Sequence, residues 1–325
     1  MSAANETAGQ PFHMLGRQVE GGSYGSAPSG AMHDGHSVTR ALGRDGRAFA
    51  MLDGVSVHRH SIRIVLAFIG FIIVPSLASA DGTQSDAALA KQLANPIANL
   101  ISVPLQFNYD SGYGAAEGDK TFVNIQPVVP TSISEEWNLI SRTVVPIIGQ
   151  NDIAGDSGAQ FGLGDTVQSI FLSPKTSAHG VVWGVGPVFL LPTATDDLLG
   201  GEQWGAGPTG VVLKQAGPWT VGGLANHIWS FAGDAGREDV NATFLQPFAS
   251  YTYPTALSIF LSSESTYNWE TKKWSVPINA GVNQLLDIGG QKVQLGFGVR
   301  YWAESTSSGP DGFGLRVNVT FLFPK

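Results

Sequence analysis

Apolar and polar side chains alternate along this chain from residue 98 to the C-terminus, in units of ten to thirteen residues closed by Gly, Asp, Ser or Pro. In the last unit, Phe313, Val317 and Phe321 fall on one face, whereas Arg316 and Thr320 fall on the other. A period of two indicates a strand with two different surroundings. Nearly every unit has an apolar face, and the sequence offers no helical layer to cover these faces. The pattern therefore predicts an all-β fold, a transmembrane antiparallel β-barrel of the outer-membrane type.

The units predict about twelve strands, an even number, as in bacterial barrels that have both termini in the periplasm. The connections predicted at the extracellular end run from six to twelve residues, and several at the other end are shorter. The predicted strands are 99–109, 120–130, 137–148, 161–172, 181–192, 204–215, 219–231, 241–253, 256–266, 273–285, 291–304 and 312–324.

Tryptophans and prolines refine this prediction. All eight tryptophans lie near predicted strand ends, which favours two aromatic belts at the membrane surfaces over the core of a soluble β-sandwich. The periplasmic belt would hold Trp137, Trp183 and Trp219, and the extracellular belt Trp204, Trp229, Trp269, Trp274 and Trp302. Proline lacks the N–H that a closed ladder needs, so we expect several in-strand prolines to mark bulges or bends. These are Pro104, Pro127, Pro146, Pro187, Pro208, Pro247 and Pro277.

The N-terminal part divides into three segments. Residues 51–80 have the form of a secretory signal peptide, since Arg59 and Arg63 precede an apolar run, 64–74, and Ala78-Ser79-Ala80 follows it. Residues 1–50 are rich in Gly, Ser and His and are interpreted as a disordered extension or as the product of a mis-called start. Residues 81–97 contain a short helical pattern that predicts a periplasmic segment or a plug, ahead of the barrel at 98–325. An exported barrel is expected in the outer membrane of a Gram-negative bacterium.

Composition excludes several classes of function. The chain has no cysteine, which excludes a disulfide scaffold, a Cys-ligated metal site and a thiol nucleophile. Its net charge is −8 and it has no basic patch, so nucleic-acid binding is not expected. The expected partners are outer-membrane lipid and lipopolysaccharide, the barrel-assembly machinery and a small-molecule solute. No cofactor is expected.

Five charged residues are predicted to face the lumen, namely Arg142, Glu264, Arg300, Glu304 and Arg316. A turn centred near residue 308 would set Arg300 directly opposite Arg316, with Glu304 one pleat further out. One hypothesis is a charged constriction that orients a solute bearing a carboxylate, hydroxyl or phenolate. The other is an Arg/Glu network that only fills a small lumen. A twelve-stranded barrel permits either.

The predicted extracellular connections are acidic, and they either bind divalent cations that bridge to lipopolysaccharide or are simply solvated. Their acidic residues are Asp110, Glu117, Asp119, Asp152, Asp156, Asp196, Asp197, Asp234, Glu202, Glu238 and Asp239. Two histidines follow residue 80, His179 in a turn and His227 at the lipid-facing rim. Residue 229 is Trp, not the Ser that a rim-histidine phospholipase carries at this spacing, so we expect no enzyme.

Several phrases resemble the outer-membrane "MetA-pathway of phenol degradation" family, whose members are described as transporters. They are Asn95-Pro96-Ile97-Ala98-Asn99-Leu100-Ile101-Ser102-Val103-Pro104, Asn124-Ile125-Gln126-Pro127, Gly162-Leu163-Gly164-Asp165, Leu245-Gln246-Pro247-Phe248 and the closing Val319-Thr320-Phe321-Leu322-Phe323-Pro324-Lys325. The resemblance implies an outer-membrane barrel for uptake of aromatic or other hydrophobic compounds. The expected function is passive passage of such small solutes. The alternatives are a structural or adhesion barrel with a closed lumen and a soluble exported β-sandwich.

Overall fold

The computed structural model describes residues 85–176 and 179–323, which form a short helix followed by one closed antiparallel sheet. Closure comes from pairing of the first and last strands, from Ile101↔Phe323 to Tyr109↔Leu315. The signal peptide and the extension predicted for residues 1–80 lie outside the described residues. The elements are α1 (Asp86–Leu93), β1 (Ile101–Tyr113), β2 (Gly118–Ile125), β3 (Val128–Ser132), β4 (Trp137–Asn151), β5 (Ala159–Leu163), β6 (Thr166–Pro174), β7 (Val181–Leu191), β8 (Gln203–Ala216), β9 (Trp219–Gly233), β10 (Asn241–Thr252), β11 (Leu257–Ser263), β12 (Ser265–Asn268), β13 (Lys273–Ile288), β14 (Gln291–Glu304) and β15 (Phe313–Phe323).

The fifteen strand segments form a barrel wall of twelve strands, because three of the wall strands are each divided into two segments. The pairs β2/β3, β5/β6 and β11/β12 are separated by Gln126-Pro127, Gly164-Asp165 and Glu264. Each strand pairs with its neighbour in sequence around the ring, and β1 pairs with β15 to close it. The predicted twelve-stranded antiparallel barrel is thus confirmed.

Side chains alternate between the two surfaces of this wall. On β15, Phe313 is 71% exposed on the outer surface, whereas Arg316 is 3% exposed on the inner surface. The same alternation on β9 places Trp219, Trp229 and Phe231 outward. The outward face is therefore apolar and aromatic, which suits hydrocarbon, and much of the inward face is polar.

The prolines interrupt the hydrogen-bond ladder as the sequence suggested. Pro127 lies between β2 and β3, and a bulge separates Val276 from Pro277 on the β13–β14 pair. Pro187 and Pro208 face each other on β7 and β8. Pairing lapses on both sides of them, between β6 and β7 and between β8 and β9. These lapses bend the wall without opening the ring.

Both ends of the barrel sheet lie at one mouth, together with the short turns at 217–218 and 289–290. We take this as the periplasmic mouth, because short turns are typical of that side. Connections 152–158, 192–202, 234–240 and 305–312 lie at the opposite mouth. Helix α1, capped by the Ser85 hydroxyl, lies at the periplasmic mouth. No helix of the described ranges is long and apolar enough to span a bilayer.

Candidate functional site

A group of inward-facing polar side chains lies in the lumen on the side formed by β11–β15 and β1. It arises from strand alternation, because every second residue of these strands faces the lumen. We call it the charge cluster. Its members are Asn108, Asp110, Glu264, Asn279, Arg300, Trp302 and Arg316.

Arg300 is the centre of the charge cluster and is only 1% exposed. Its Nη1 lies 2.8 Å from Oδ2 of Asp110, and its Nη2 lies 3.1 Å from Oε2 of Glu264. Its Nε donates to Oδ1 of Asn279 at 3.0 Å. The other carboxylate oxygen of Asp110, Oδ1, accepts a hydrogen bond of 3.1 Å from Nε1 of Trp302. Each charge in this buried group therefore has a partner, as burial of ions requires.

Arg316 binds Glu264 through two parallel hydrogen bonds, the strong and directional geometry of an arginine–carboxylate pair. The distances are 2.8 Å from Nη1 to Oε1 and 2.7 Å from Nη2 to Oε2. Its Nε donates to Oδ1 of Asn108 at 2.8 Å, and the same oxygen accepts from Arg300 at 3.2 Å. Glu264 lies in the gap between β11 and β12, where it bridges both arginines.

The register of the last hairpin differs from the prediction by two residues. Arg300 pairs with Gly314, and Arg316 pairs with Gly298, so the two arginines are diagonal neighbours. Each long side chain therefore lies across from a residue without one. A Cβ at residue 314 would collide with the Asp110 carboxylate, which makes glycine a requirement there.

Two of the five predicted lumen residues lie outside the charge cluster. Arg142 is half-buried on the inner face of β4 and donates to Oε1 of Gln126 at 2.8 Å. It lies within electrostatic range of Glu264. Glu304 is exposed and pairs with Val276 beyond the bulge, where β14 uses two residues against one of β13. This extra residue turns Glu304 out of the inward phase of Arg300, so the structure does not bring it to the cluster.

Sequence reasoning missed Asp110, which it placed in an extracellular connection, and Trp302, which it placed in an aromatic belt. Strand β1 continues to Tyr113, so Asp110 is an inward strand residue with a fully buried side chain. Trp302 lies two residues after Arg300 on β14, so its side chain also faces the lumen and is only 4% exposed. Extending the alternation of β1 beyond Tyr109 would have found Asp110.

The extracellular connection 192–202 folds against the inner wall. Leu199 is fully buried against Phe122 and Ile148, both of which face inward. The Asp165 carboxylate, in the gap between β5 and β6, anchors this loop by accepting from the backbone N–H of Ala194 at 3.2 Å and of Gly201 at 2.6 Å. The loop therefore narrows the lumen from the extracellular side.

Helix α1 crosses the periplasmic mouth between two turns. At one end, Nζ of Lys91 donates to the Gly217 carbonyl at 2.7 Å, and Gln215 donates to the Lys91 carbonyl at 3.0 Å. At the other end, Lys292 pairs with Asp86 at 2.7 Å. The apolar side of α1 packs on the barrel through a cluster formed by Leu89, Ala90, Ala98, Leu100, Ala256, Leu285 and Leu322. In this structure α1 covers part of the periplasmic opening.

The rest of the inner wall mixes apolar side chains with polar ones such as Ser169 and Asn226. Two clusters of buried side chains, from β3, β4 and β6 through β10, line it. The first is Val144, Val167, Val188, Leu190, Ile228, Val240 and Ala242. The second is Ile97, Val128, Ile140, Phe171, Val211, Leu213, Leu224 and Phe244. The lumen is thus two-sided, with the ion-pair network along one arc of the wall and the two apolar clusters, with polar residues between them, along the other.

His227 lies at the outer rim, in the phase of the outward tryptophans. Its ring is 4.0 Å from that of Trp229 and 6.4 Å from that of Trp269. Its Nδ1 shares a hydrogen bond of 2.7 Å with the Thr243 hydroxyl. Within the two described ranges, no group of three or more acidic or histidine side chains could hold a metal ion.

Comparison with known proteins rests on structure alone, because no family model and no curated protein sequence matches this chain. An outer membrane channel from Pseudomonas putida F1 has a TM-score of 0.56 and 14% identity, covering 69% of this chain and 96% of the channel. The outer membrane phospholipase A of Escherichia coli has a TM-score of 0.43 and 12% identity, covering 68% and 90%. An anion-selective porin from Comamonas acidovorans has a TM-score of 0.36 and 7% identity, covering 69% and 98%.

The protein is an outer-membrane β-barrel. The likeness to the Pseudomonas putida channel, together with ring closure and the apolar outer face, shows this fold and places the chain in the outer membrane of a Gram-negative bacterium. A soluble β-sandwich is excluded, because the sheet closes on itself and is not split into two layers.

Proposed function

We propose that this barrel is a channel or transporter through which small solutes, above all hydrophobic or aromatic ones, pass without energy coupling. The observation that carries the proposal is the two-sided lumen. The interior of a water-filled porin is polar. Here two clusters of aliphatic and phenyl side chains lie on the inner wall, with polar residues such as Ser169 and Asn226 between them.

An apolar arc favours solutes with an apolar body. A ring that buries about 100 Å² of its surface there gains about 2.5 kcal/mol relative to water. Sugars and other fully polar solutes gain nothing from this arc and lose hydration. The charge cluster on the facing wall suits a polar or ionised group on the same solute. The preferred solute is therefore small and amphipathic.

Passage requires motion of the two segments that cover the ends, loop 192–202 and helix α1. Loop 192–202 is held by Leu199 and the buried Asp165 carboxylate. Helix α1 is held by its apolar cluster and by partly exposed polar contacts, which are individually weak. Passive flux then follows thermal displacement of these segments, and no energy source is invoked.

The resemblance to the MetA-pathway family supports the same proposal, and we propose that the chain is a member. In the structure, the phrases that carry this resemblance occupy wall breaks and the closing strand, such as Gln126-Pro127, Gly164-Asp165 and β15. As partners we propose outer-membrane lipid and lipopolysaccharide around the apolar outer face, the barrel-assembly machinery during insertion and a small-molecule solute in the lumen.

A structural barrel with a closed lumen is the second candidate. The observation that favours it is the complete pairing of the charge cluster, together with coverage of both mouths. A filled lumen needs no solute to satisfy these charges. The two candidates differ in one measurable property, which is flux.

Solute uptake into liposomes containing the purified protein tests the proposal. We expect small aromatics such as benzoate and benzyl alcohol to enter faster than arabinose, a sugar of similar size. Protein-free liposomes give the background, since neutral aromatics also cross lipid. Uptake no faster than this background for every solute would support the closed structural barrel instead.

We propose no catalytic role for His227. Its ring packs on Trp229 and Trp269, as expected of a histidine in an aromatic belt. We therefore expect no ester hydrolysis in a phospholipase assay on the purified protein with calcium. Hydrolysis lost in a His227→Ala variant would overturn this assignment.

A further inference from the structure

The lipid-facing surface carries a groove of about 910 Å³ that crosses the wall from β7 to β14. This volume lies within the range of pockets that hold small ligands, about 300–1,000 Å³. Outward side chains border both ends of the groove, which are Trp183 and Val185 on β7, and Trp274, Val276 and Glu304 on β13 and β14. The lumen lies on the other side of the wall, so the function proposed above does not use this space.

The floor of the groove follows residues that face one another across successive strands. Directly opposed residues share a face of the sheet. Val185 is 52% exposed, which identifies this face as the outer one. The opposed pairs are Val185↔Gly210, Gly210↔Ala225, Ala225↔Leu245, Leu245↔Ser265 and Val276↔Glu304.

Small residues make the floor deep. Gly210, Gly223 and Ala225 are neighbours on β8 and β9, between the larger side chains of Val185 and Leu245. A Cβ added at Gly210 or Gly223 would meet its nearest neighbour only at 3.7 or 3.8 Å, so packing within the wall does not require glycine there. The space beside them is therefore open to the membrane. An empty void at this depth would lose van der Waals contacts, so hydrocarbon fills it.

The groove runs obliquely between the two membrane surfaces. It begins at Trp183, near the periplasmic start of β7, and ends at Glu304, the extracellular end of β14. It crosses seven wall strands, so at about 4.8 Å per strand it is roughly 29 Å long. With strands tilted by about 40°, it rises by roughly 19 Å along the membrane normal, against about 15 Å for half of the hydrocarbon core. This is the reach of one extended acyl chain and not that of a compact solute.

The two ends of the groove carry opposite charges. Lys214 is exposed at the periplasmic end, where it is the next outward residue after Val212 and lies opposite Val181. Glu304 is exposed at the extracellular end. A phosphate is attracted to the first end and repelled by the second. Phospholipid occupies the periplasmic leaflet of an outer membrane, whereas the lipopolysaccharide of the extracellular leaflet has a phosphorylated lipid anchor. The charges therefore favour phospholipid.

We propose that this groove is a binding site for one phospholipid of the periplasmic leaflet. The phosphate accepts from the Lys214 ammonium at the level of Trp183, and one acyl chain lies along the floor over Gly210, Gly223 and Ala225. This narrows the lipid partner proposed above to one lipid class at one place on the wall. The site concerns the outer surface only, so passage of solutes through the lumen does not depend on it.

Native mass spectrometry of the detergent-solubilised full chain counts bound lipids and tests the site. Delipidated protein is titrated with dipalmitoyl phosphatidylglycerol, with dipalmitoylglycerol, which lacks the phosphate, and with lipid A. We expect the first phosphatidylglycerol to bind about five-fold tighter than the diacylglycerol, the effect of one lysine at a membrane surface. Lipid A should bind more weakly than phosphatidylglycerol.

Two variants address the chain and the headgroup separately. Ala225→Phe fills the floor and should weaken phosphatidylglycerol binding about ten-fold. Its control is Ala280→Phe, because Ala280 lies opposite the exposed Val299 on the outer face, outside the groove. Lys214→Met should abolish the preference for phosphatidylglycerol over the diacylglycerol. Its control, Lys273→Met, removes the same charge at the extracellular end of β13 and should change neither affinity.

Heat-modifiable gel mobility confirms that each variant is folded, and Ala225→Leu replaces Ala225→Phe if the latter does not fold. Equal binding by wild type and Ala225→Phe would show that lipids surround the barrel without a site. Tighter binding of lipid A than of phosphatidylglycerol, or an effect of Lys273→Met in place of Lys214→Met, would reject the phospholipid. A dimer that Ala225→Phe dissociates would show that a second copy of the chain fills the groove.

Failure of the lipid site is distinguishable from failure of the proposed function. If liposome uptake of aromatics exceeds background but Ala225→Phe binds phosphatidylglycerol normally, the channel remains and the lipid site is rejected. If no solute exceeds background, the proposed function is rejected, whatever the lipid titrations show.

Discussion

Replacing Arg300 by methionine tests whether the charge cluster is a structural unit. Methionine is a flexible side chain of similar volume to arginine, so the change removes charge and hydrogen bonds more than volume. Asp110, whose side chain is fully buried, would lose its ion-pair partner at 2.8 Å. Breaking a buried pair by removing one partner costs about 3–5 kcal/mol, because the remaining charge is left without compensation. We expect Arg300→Met to lower the free energy of unfolding by about 3 kcal/mol, the lower end of this range, because Lys120 still lies across from Asp110 on β2.

A double-mutant cycle makes this prediction specific. In Arg300→Met/Asp110→Asn the stranded carboxylate is gone, while an amide oxygen remains to accept from Trp302. The double variant should therefore be more stable than Arg300→Met alone, with a coupling energy of about 2–3 kcal/mol. Reversible guanidinium unfolding in phospholipid vesicles, followed by tryptophan fluorescence, measures each term. A loss below about 1 kcal/mol for Arg300→Met, or simple additivity, would refute the reasoning.

The cycle has an internal control at the extracellular loops. Glu202 lies 3.4 Å from Arg237, with its own carboxylate side chain 41% exposed and that of Arg237 11% exposed. Arg237 would keep its hydrogen bonds to the Asp197 and Gly200 carbonyls without Glu202. Exposed pairs contribute about 0–1 kcal/mol because water screens them. Glu202→Gln should therefore change the unfolding free energy by less than about 1 kcal/mol.

Three further predictions concern the loop, the wall and the helix. Asp165→Ala removes two hydrogen bonds to loop 192–202 and should raise single-channel conductance in planar bilayers; unchanged conductance would contradict the role of this anchor. Gly314→Ala forces a Cβ into the Asp110 carboxylate and should cost about 1–3 kcal/mol of unfolding free energy, whereas Gly210→Ala, which meets only ordinary contacts at 3.7 Å, should be nearly neutral. Leu89→Asp places a charge in the apolar contact under α1 and should speed solute uptake; slower or equal uptake would argue against α1 as a barrier.

The sequence predicted the wall well, because period-two alternation reports directly on two different surroundings. Predicted strand 181–192 corresponds to β7 (Val181–Leu191), and 291–304 corresponds to β14 (Gln291–Glu304). The extracellular ends were less well predicted. Strand β1 extends to Tyr113, because the Asp110 carboxylate faces the lumen and accepts a hydrogen bond from Arg300 there. The polarity of Asp110 alone suggested that it lies in a loop.

Register and bulges set the limit for predicting the site. One inserted residue reverses the phase of a strand, and the bulge before Glu304 did this. The two-residue difference in the last hairpin moved Arg300 from Arg316 to Gly314. Lys120 was missed because it was taken as the first residue of its strand, whereas β2 begins at Gly118. Loop 192–202 and α1 pack through tertiary contacts that no local periodicity records.

Reversible locking of α1 tests most directly whether solutes pass through this lumen. The chain has no cysteine, so the pair Lys91→Cys/Gln215→Cys can be joined selectively by a short bis-methanethiosulfonate cross-linker. The two positions are neighbours, because the Gln215 side chain donates to the Lys91 main-chain carbonyl at 3.0 Å. The account predicts that cross-linked protein in liposomes takes up small aromatics more slowly than the uncross-linked protein, and that dithiothreitol restores uptake. Equal uptake before and after reduction would contradict passage through the lumen past α1.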